Sequence, residues 1–251
     1  MNALILEKLN EIEQKENCRI IFAAESGSRA WGFASPDSDY DVRFIYIRQK
    51  DAYLSLKPPR DVIELPINSV LDINGWDLGK ALKLLQKSNP TMFEWFYSPI
   101  VYKSSCLAEE IKFIMPEYFS VKKSLYHYLS MAVGNYRGYL FGDMVRAKKY
   151  FYVLRPLLAC RWILEKRTPP PMLFSALMES QIEESLKDTV NKLMDLKINS
   201  PEKKLINRID ALNEYLDRSI EDIKEQIKLI PDENTCELTR LDALFKSALL
   251  G

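Results

Sequence analysis

Histidine is nearly missing from this chain: His127 is the only one in 251 residues. That excludes a histidine-rich metal centre, a two-histidine relay and a His-x-Glu deaminase site. A Ser-His-Asp arrangement would have to use His127, and no Gly-x-Ser-x-Gly elbow accompanies it. No Gly-x-x-x-x-Gly-Lys-Ser/Thr phosphate loop occurs either. His127 therefore reads as a residue that caps or packs within a helix, with a substrate contact as the alternative. Cysteine is sparse as well. The four, at positions 18, 106, 160 and 236, lack metal-ligand spacing and read mostly as small buried apolar residues. Nothing approaches 18 consecutive apolar residues, so no membrane span is expected. Met1 to Asn10 has neither a basic start nor a long apolar stretch, which predicts a cytoplasmic protein with reduced thiols.

An excess of charge is also lacking. Thirty-five Lys and Arg balance 35 Asp and Glu, so no global field advertises nucleic acid or a membrane surface. The distribution is uneven. Val121 to Arg167 holds ten basic residues against two acidic ones, whereas Glu179 to Glu233 holds nine against fourteen. A basic segment inside a neutral protein suits a polyanion such as a nucleoside triphosphate or RNA. Length and a 47% hydrophobic content are ample for a core.

What is present is concentrated between Glu25 and Arg43, in the string ESGSRAWGFASPDSDYDVR. Ile20 to Ala24 is an apolar run that predicts a buried strand. Gly27-Ser28 then makes a strand-to-helix turn, where free N–H groups and the helix dipole favour a phosphate and glycine permits close approach. Turn residues from Ala34 to Ser38 deliver Asp39 and Asp41 to the start of a second strand, Val42 to Ile47. At the strand period of two, these carboxylates share one face, about 6–7 Å apart. Carboxylates so placed suit Mg²⁺, which commonly takes one or two of them together with substrate phosphates.

The pattern Gly27-Ser28, ten residues, Asp39-Tyr40-Asp41 resembles the nucleotidyltransferase superfamily of DNA polymerase β. The fuller string GSRAWGF-x-SPDSDYDVRFIY is similar to a branch of bacterial and phage nucleotidyltransferases that includes RNA-repair-associated members. The likeness extends through Lys80, Ser88-Asn89-Pro90, Glu94-Trp95 and Ser98 to Tyr102, covering residues 20–102, and thins beyond except around 148–156. The resemblance implies a third carboxylate on a later strand. Asp72, held between Leu71 and Ile73, is the candidate, since an acid there needs a cleft or a charge partner. Asp77 is the rival, although it also suits a helix N-cap.

Along the chain, Leu4, Leu6, Leu9 and Ile12 predict an amphipathic helix over residues 3–14. A short helix is expected around Arg29 to Phe33, and a loop from Arg48 to Asp61. Val62 to Leu65 and Ser69 to Ile73 predict a hairpin around Pro66-Ile67-Asn68. Trp76 to Lys87 reads as a helix stopped by Ser88-Asn89-Pro90. The aromatic Thr91 to Tyr97 reads as packing between domains rather than a base-stacking platform. From Ser104 onward the pattern is nearly all helix, broken at Pro116, Thr168 to Pro171, Asn199 to Pro201 and Pro231. The helix from Asp143 to Lys166 carries two apolar flanks, with Lys148, Tyr152 and Arg155 forming one stripe between them. A charged stripe on a buried helix needs a partner, either an anionic ligand or internal glutamates.

The expected fold is thus α+β: a small mixed β-sheet domain like the palm of polymerase β over residues 1–102, and an all-helical domain over 103–251 that closes the cleft. The resemblance implies transfer of a nucleoside monophosphate from an NTP to a hydroxyl acceptor, with pyrophosphate released. An RNA 3′ end is the favoured acceptor. A protein side chain, or a non-catalytic nucleotide-binding or antitoxin-like module, is the alternative. Asp39, Asp41 and Asp72 would hold two Mg²⁺ ions, with Mn²⁺ as a substitute. Gly27, Ser28, Arg29 and Arg43 would meet phosphates, joined by Lys148, Lys149, Tyr152 and Arg155 from the helical side.

Overall fold

A computed structural model of the chain describes residues 1–66, 70–200, 204–232 and 237–250. In chain order the elements are α1 (Asn2–Glu16), β1 (Cys18–Glu25), α2 (Gly27–Ala30), β2 (Tyr40–Arg48), α3 (Lys50–Tyr53), β3 (Val62–Glu64), β4 (Leu71–Asp77), α4 (Leu78–Gln86), α5 (Pro90–Phe96) and β5 (Val101–Ser104). They continue as α6 (Cys106–Ile114), a 3₁₀ turn over Met115–Tyr118, α7 (Val121–Tyr139), β6 (Met144–Arg146), α8 (Ala147–Lys166), α9 (Phe174–Gln181), α10 (Glu184–Ile198), β7 (Leu205–Asn207), α11 (Asp210–Lys228) and α12 (Thr239–Leu250). The fold class is α+β. Parts of the expected turn at 66–68 and helix break at 199–201, together with Cys236, lie outside the described residues.

The chain forms two compact units, and neither is one continuous segment. The first comprises Met1–Gly27, Asp39–Tyr118 and Thr235–Gly251; the second comprises Ser28–Ser38 and Phe119–Asn234. These limits differ from a single cut after residue 102. The 28–38 segment joins the helical unit because Phe33, 2% exposed, sets its ring 5.0 Å from Phe151 and 5.5 Å from Phe174.

The first unit is built on a five-stranded sheet in the order β3-β4-β2-β1-β5. β2 and β4 run parallel; the other pairs are antiparallel. β1 is buried from Ile20 to Glu25, as its apolar run requires. One sheet face packs on α1 through Ile5, Leu9 and Ile12, the helical i, i+4, i+7 stripe. Leu4 and Leu6, expected on that stripe, are 39% and 41% exposed because they fall to either side of it. Aromatic residues of α5 pack within this unit rather than between domains: Phe96 stacks on Phe22 at 4.4 Å and Trp95 lies 3.9 Å from Trp76. β4 extends to Asp77, so Trp76 and Asp77 are strand rather than helix.

β5 has four residues, exposed or half-buried, and carries no buried face of its own. It is held by backbone pairing with β1.

In the second unit α7 and α8 supply much of the core, with Leu125, Tyr128, Leu154 and Leu158 buried between elements. α8 is largely buried, as its two apolar flanks predict. It starts at Ala147, later than Asp143, because residues 144–146 pair with β7 across about 60 residues of chain. Among the described residues no helix is long and apolar enough to cross a membrane.

Candidate functional site

Parallel pairing of β2 with β4 puts Asp41 opposite Asp72 in register. Adjacent strands lie about 4.8 Å apart, and in-register residues of a parallel pair share a sheet face. Two carboxylates therefore meet at the start of both strands, their side chains 29% and 26% exposed. Asp39 is exposed and immediately precedes β2, whose first N–H, at Tyr40, donates to the Val70 carbonyl at 2.8 Å. Asp77 lies at the other end of β4, opposite Tyr46. Its carboxylate caps α4 by accepting Gly79 N–H at 2.8 Å and also accepts the Tyr53 hydroxyl at 2.7 Å. Burial holds the Asp77 carboxyl pKa above the ordinary value. Asp72 thus shares an edge with Asp41, and Asp77 serves as a buried helix cap.

Arg43, expected to meet phosphate, lies between the two carboxylates. Its Nη2 donates to Asp41 Oδ1 at 3.0 Å and to Asp72 Oδ2 at 2.7 Å. Its Nη1 donates to the Asp72 carbonyl at 2.9 Å and the Val42 carbonyl at 3.2 Å. Along β2 the period of two brings Arg43 to the same face as Asp41.

Gly27 sits beside the same edge at φ +59°, and a Cβ there would stand 2.1 Å from Asp41 Oδ2. Only glycine lets this backbone lie against the carboxylate. Ser26 N–H donates to the Asp41 carbonyl at 2.8 Å, tying the turn to β2. Behind it lies Glu25, fully buried. Its Oε1 accepts the Asp41 backbone N–H at 2.6 Å, its Oε2 accepts the Tyr102 hydroxyl, and its carbonyl accepts Ser98 Oγ at 2.6 Å. Sequence reading gave Glu25 no role. The available signal was an acid ending an otherwise apolar buried run.

Ser28 and Arg29 belong to the second unit. There Arg29 donates to the Ser38 carbonyl at 2.6 Å, and Ser35 and Ser38 bond to each other at 2.9 Å. Lys197 of α10, 4% exposed, donates to the Phe33 carbonyl at 2.7 Å. This lysine also went unrecognised, since nothing local marks it.

On α8, Lys149 Nζ lies 3.6 Å from the Tyr139 ring centre and 4.8 Å from that of Tyr152. Tyr152 meets Trp31 edge-on at 6.0 Å. Arg155 is 2% exposed, lies 4.6 Å over Trp31 and donates to Met172 Sδ at 3.3 Å. Lys148 is half-buried. Of the expected Lys148, Tyr152 and Arg155 stripe, Tyr152 and Arg155 both meet Trp31, and Arg155 is buried in the core of its own unit. His127 lies half-buried on α7, edge-on to Tyr128. Cys160 is buried, but Cys106 is exposed rather than packed.

Among the described residues no three His, Cys, Asp or Glu groups are gathered as a ready metal cage. The chemistry at the β2–β4 edge nonetheless fits a hard divalent cation. Its donors are the oxygens of two partly exposed carboxylates, Asp41 and Asp72.

Residues 1–247 match RlaP, described as the RNA repair pathway DNA polymerase beta family. The chain is 46% identical over 246 residues to the uncharacterized protein YcgL of Bacillus subtilis, covering 96% of this chain and 95% of that one. A nucleotidyltransferase-like protein from Exiguobacterium sibiricum is 12% identical, with a TM-score of 0.32 over 87% of this chain and 73% of that one, a likeness too slight to bear on the site. On the match across nearly its whole length, the chain belongs to the RNA repair pathway DNA polymerase beta family, among the polymerase β-like nucleotidyltransferases.

Proposed function

We propose that this protein transfers a nucleoside monophosphate from an NTP to a hydroxyl acceptor, an RNA 3′ end, with release of pyrophosphate. The observation that carries the reading is the in-register pair Asp41–Asp72, with Asp39 two residues upstream of Asp41 and Gly27 against its carboxylate. Asp39, Asp41 and Asp72 would hold Mg²⁺, which supplies activation of the attacking hydroxyl and charge neutralisation at the leaving pyrophosphate. The chain's own part is positioning. The β2–β4 ladder fixes the spacing of Asp41 and Asp72, and Glu25 fixes the start of β2 from behind. Gly27 keeps the turn clear of a side chain, so that a triphosphate can come close to the carboxylate edge. The RNA acceptor is supported by the family's description and by the basic composition of residues 121–167.

The test is calorimetric titration with non-hydrolysable ATP, CTP, GTP and UTP analogues, in Mg²⁺ and in EDTA. Mg²⁺-dependent binding that disappears in Asp41→Asn is the expected result. Absence of binding by any analogue to folded protein would overturn the reading. Binding of a labelled single-stranded RNA should then weaken steeply with salt, with a logarithmic slope of about −0.7 per phosphate neutralised. A salt-insensitive acceptor would point instead to a protein hydroxyl.

A further inference from the structure

The Arg43 guanidinium makes an unusual demand on the proposed site. A single nitrogen, Nη2, donates to one oxygen of Asp41 and one of Asp72 at once. A positive group so placed engages carboxylate oxygens that a divalent cation would otherwise use. Those two oxygens are released only when the guanidinium is displaced from them. Nη1, bonded to the carbonyls of Asp72 and Val42, anchors the other arm of the fork. With its side chain 18% exposed, Arg43 is screened less than a free surface arginine.

We infer that Arg43 competes with a divalent cation for the Asp41–Asp72 oxygen pair, so that the ion enters together with the nucleotide rather than ahead of it. This rests on the metal-dependent transfer reading above. A triphosphate supplies what a lone ion lacks: further oxygen ligands for the metal, and anionic oxygens with which a displaced guanidinium can pair. Metal and nucleotide binding are then thermodynamically coupled, each strengthening the other by the same factor. Arg43 is on this account a positioning residue and counter-ion that sets the order of loading.

Mn²⁺ titration followed by electron paramagnetic resonance tests this without turnover. Wild type should bind Mn²⁺ weakly alone and more tightly with a non-hydrolysable nucleotide. Arg43→Gln should bind Mn²⁺ alone about tenfold more tightly than wild type, within the usual range of coupling between sites, and the nucleotide should add less. Arg43→Lys, which keeps the charge, should stay near wild type. Melting in EDTA establishes that the variants fold, and Mn²⁺ should raise the melting temperature of Arg43→Gln more than that of wild type. Folded Arg43→Gln with Mn²⁺ affinity equal to or below wild type, while wild type still binds Mn²⁺ with nucleotide, overturns the inference and leaves the transfer reading standing. Failure of both proteins to bind Mn²⁺ even with nucleotide overturns that reading and the inference with it.

Discussion

The carboxylate of Glu25 accepts the backbone N–H of Asp41 at 2.6 Å, so the last residue of β1 holds the first acidic residue of β2. Glu25 is fully buried, and its other oxygen takes the Tyr102 hydroxyl from β5. Removing the acceptor leaves two partly buried donors without it, at up to about 1–3 kcal/mol for each. Glu25→Ala should therefore lower the melting temperature and reduce turnover with little change in nucleotide affinity. Glu25→Gln, which can still accept from Asp41, should recover much of both. Equal loss in the two variants would mean that the acceptor role is not what matters.

The two carboxylates and the buried cap should separate cleanly. Asp41→Asn and Asp72→Asn should each cut transfer by more than about a hundredfold, since even groups outside the ligand set typically cost 10–100-fold. Neither should cost much stability, because partly exposed ion pairs contribute only about 0–1 kcal/mol. Asp77→Asn should act the other way. It keeps a capping oxygen for Gly79 but disturbs the Tyr53 bond, lowering the melting temperature while turnover persists. Steady-state kinetics beside thermal melts decide it, and unaltered turnover in Asp72→Asn would remove Asp72 from the site.

Two glycines fail for different reasons when given a methyl group. At Gly27 the backbone is left-handed and a Cβ would stand 2.1 Å from Asp41 Oδ2. Gly27→Ala should cost about 1–2 kcal/mol in backbone strain alone and displace Asp41, so activity falls beyond what stability explains. At Gly75 a Cβ would stand 2.2 Å from the Phe44 ring, which lies opposite it on β2. Gly75→Ala should cost about 1–3 kcal/mol through overpacking. Melting curves and kinetics at a temperature where both variants are folded distinguish these outcomes.

The cysteines should react in an order set by burial. Thiol reagents attack the thiolate, so a raised pKa slows them. Burial pushes the Cys18 thiol up to about 11 and raises that of the fully buried Cys160 further. At pH 8, mass-spectrometric mapping should find Cys106, which is exposed, modified well before either. The rate at Cys18 should keep rising as pH approaches about 11, because more of it becomes thiolate. Rapid modification of Cys160 in native protein would contradict the packing around α8.

Much of the candidate site is legible in the sequence because it lies within one short stretch. The Gly27-Ser28 turn and the Asp39-x-Asp41 doublet follow from turn residues and a period of two, both read from neighbouring residues. Asp72 stood out as an acid between apolar neighbours, and Asp77 as a cap. The place of Arg43 on the strand is legible in the sequence, while Asp72 across the ladder, to which it donates, is not. Glu25 and Lys197 went unrecognised because their acceptors or donors lie 16 and 164 residues away. The helical spans were largely readable, whereas β6 and β7 were not, since three-residue strands exist only through each other.

What the sequence determined by itself was therefore local: strand, turn, acidic doublet and a mostly helical second half. Periodicity and turn chemistry act over a few residues and leave their mark there. Tertiary structure alone decided the register that sets Asp41 against Asp72, the bridge that Arg43 makes between them, and the assignment of residues 28–38 to the helical unit. Each depends on pairing and packing between segments far apart in the chain, whose free energy is gained only when both partners are in place.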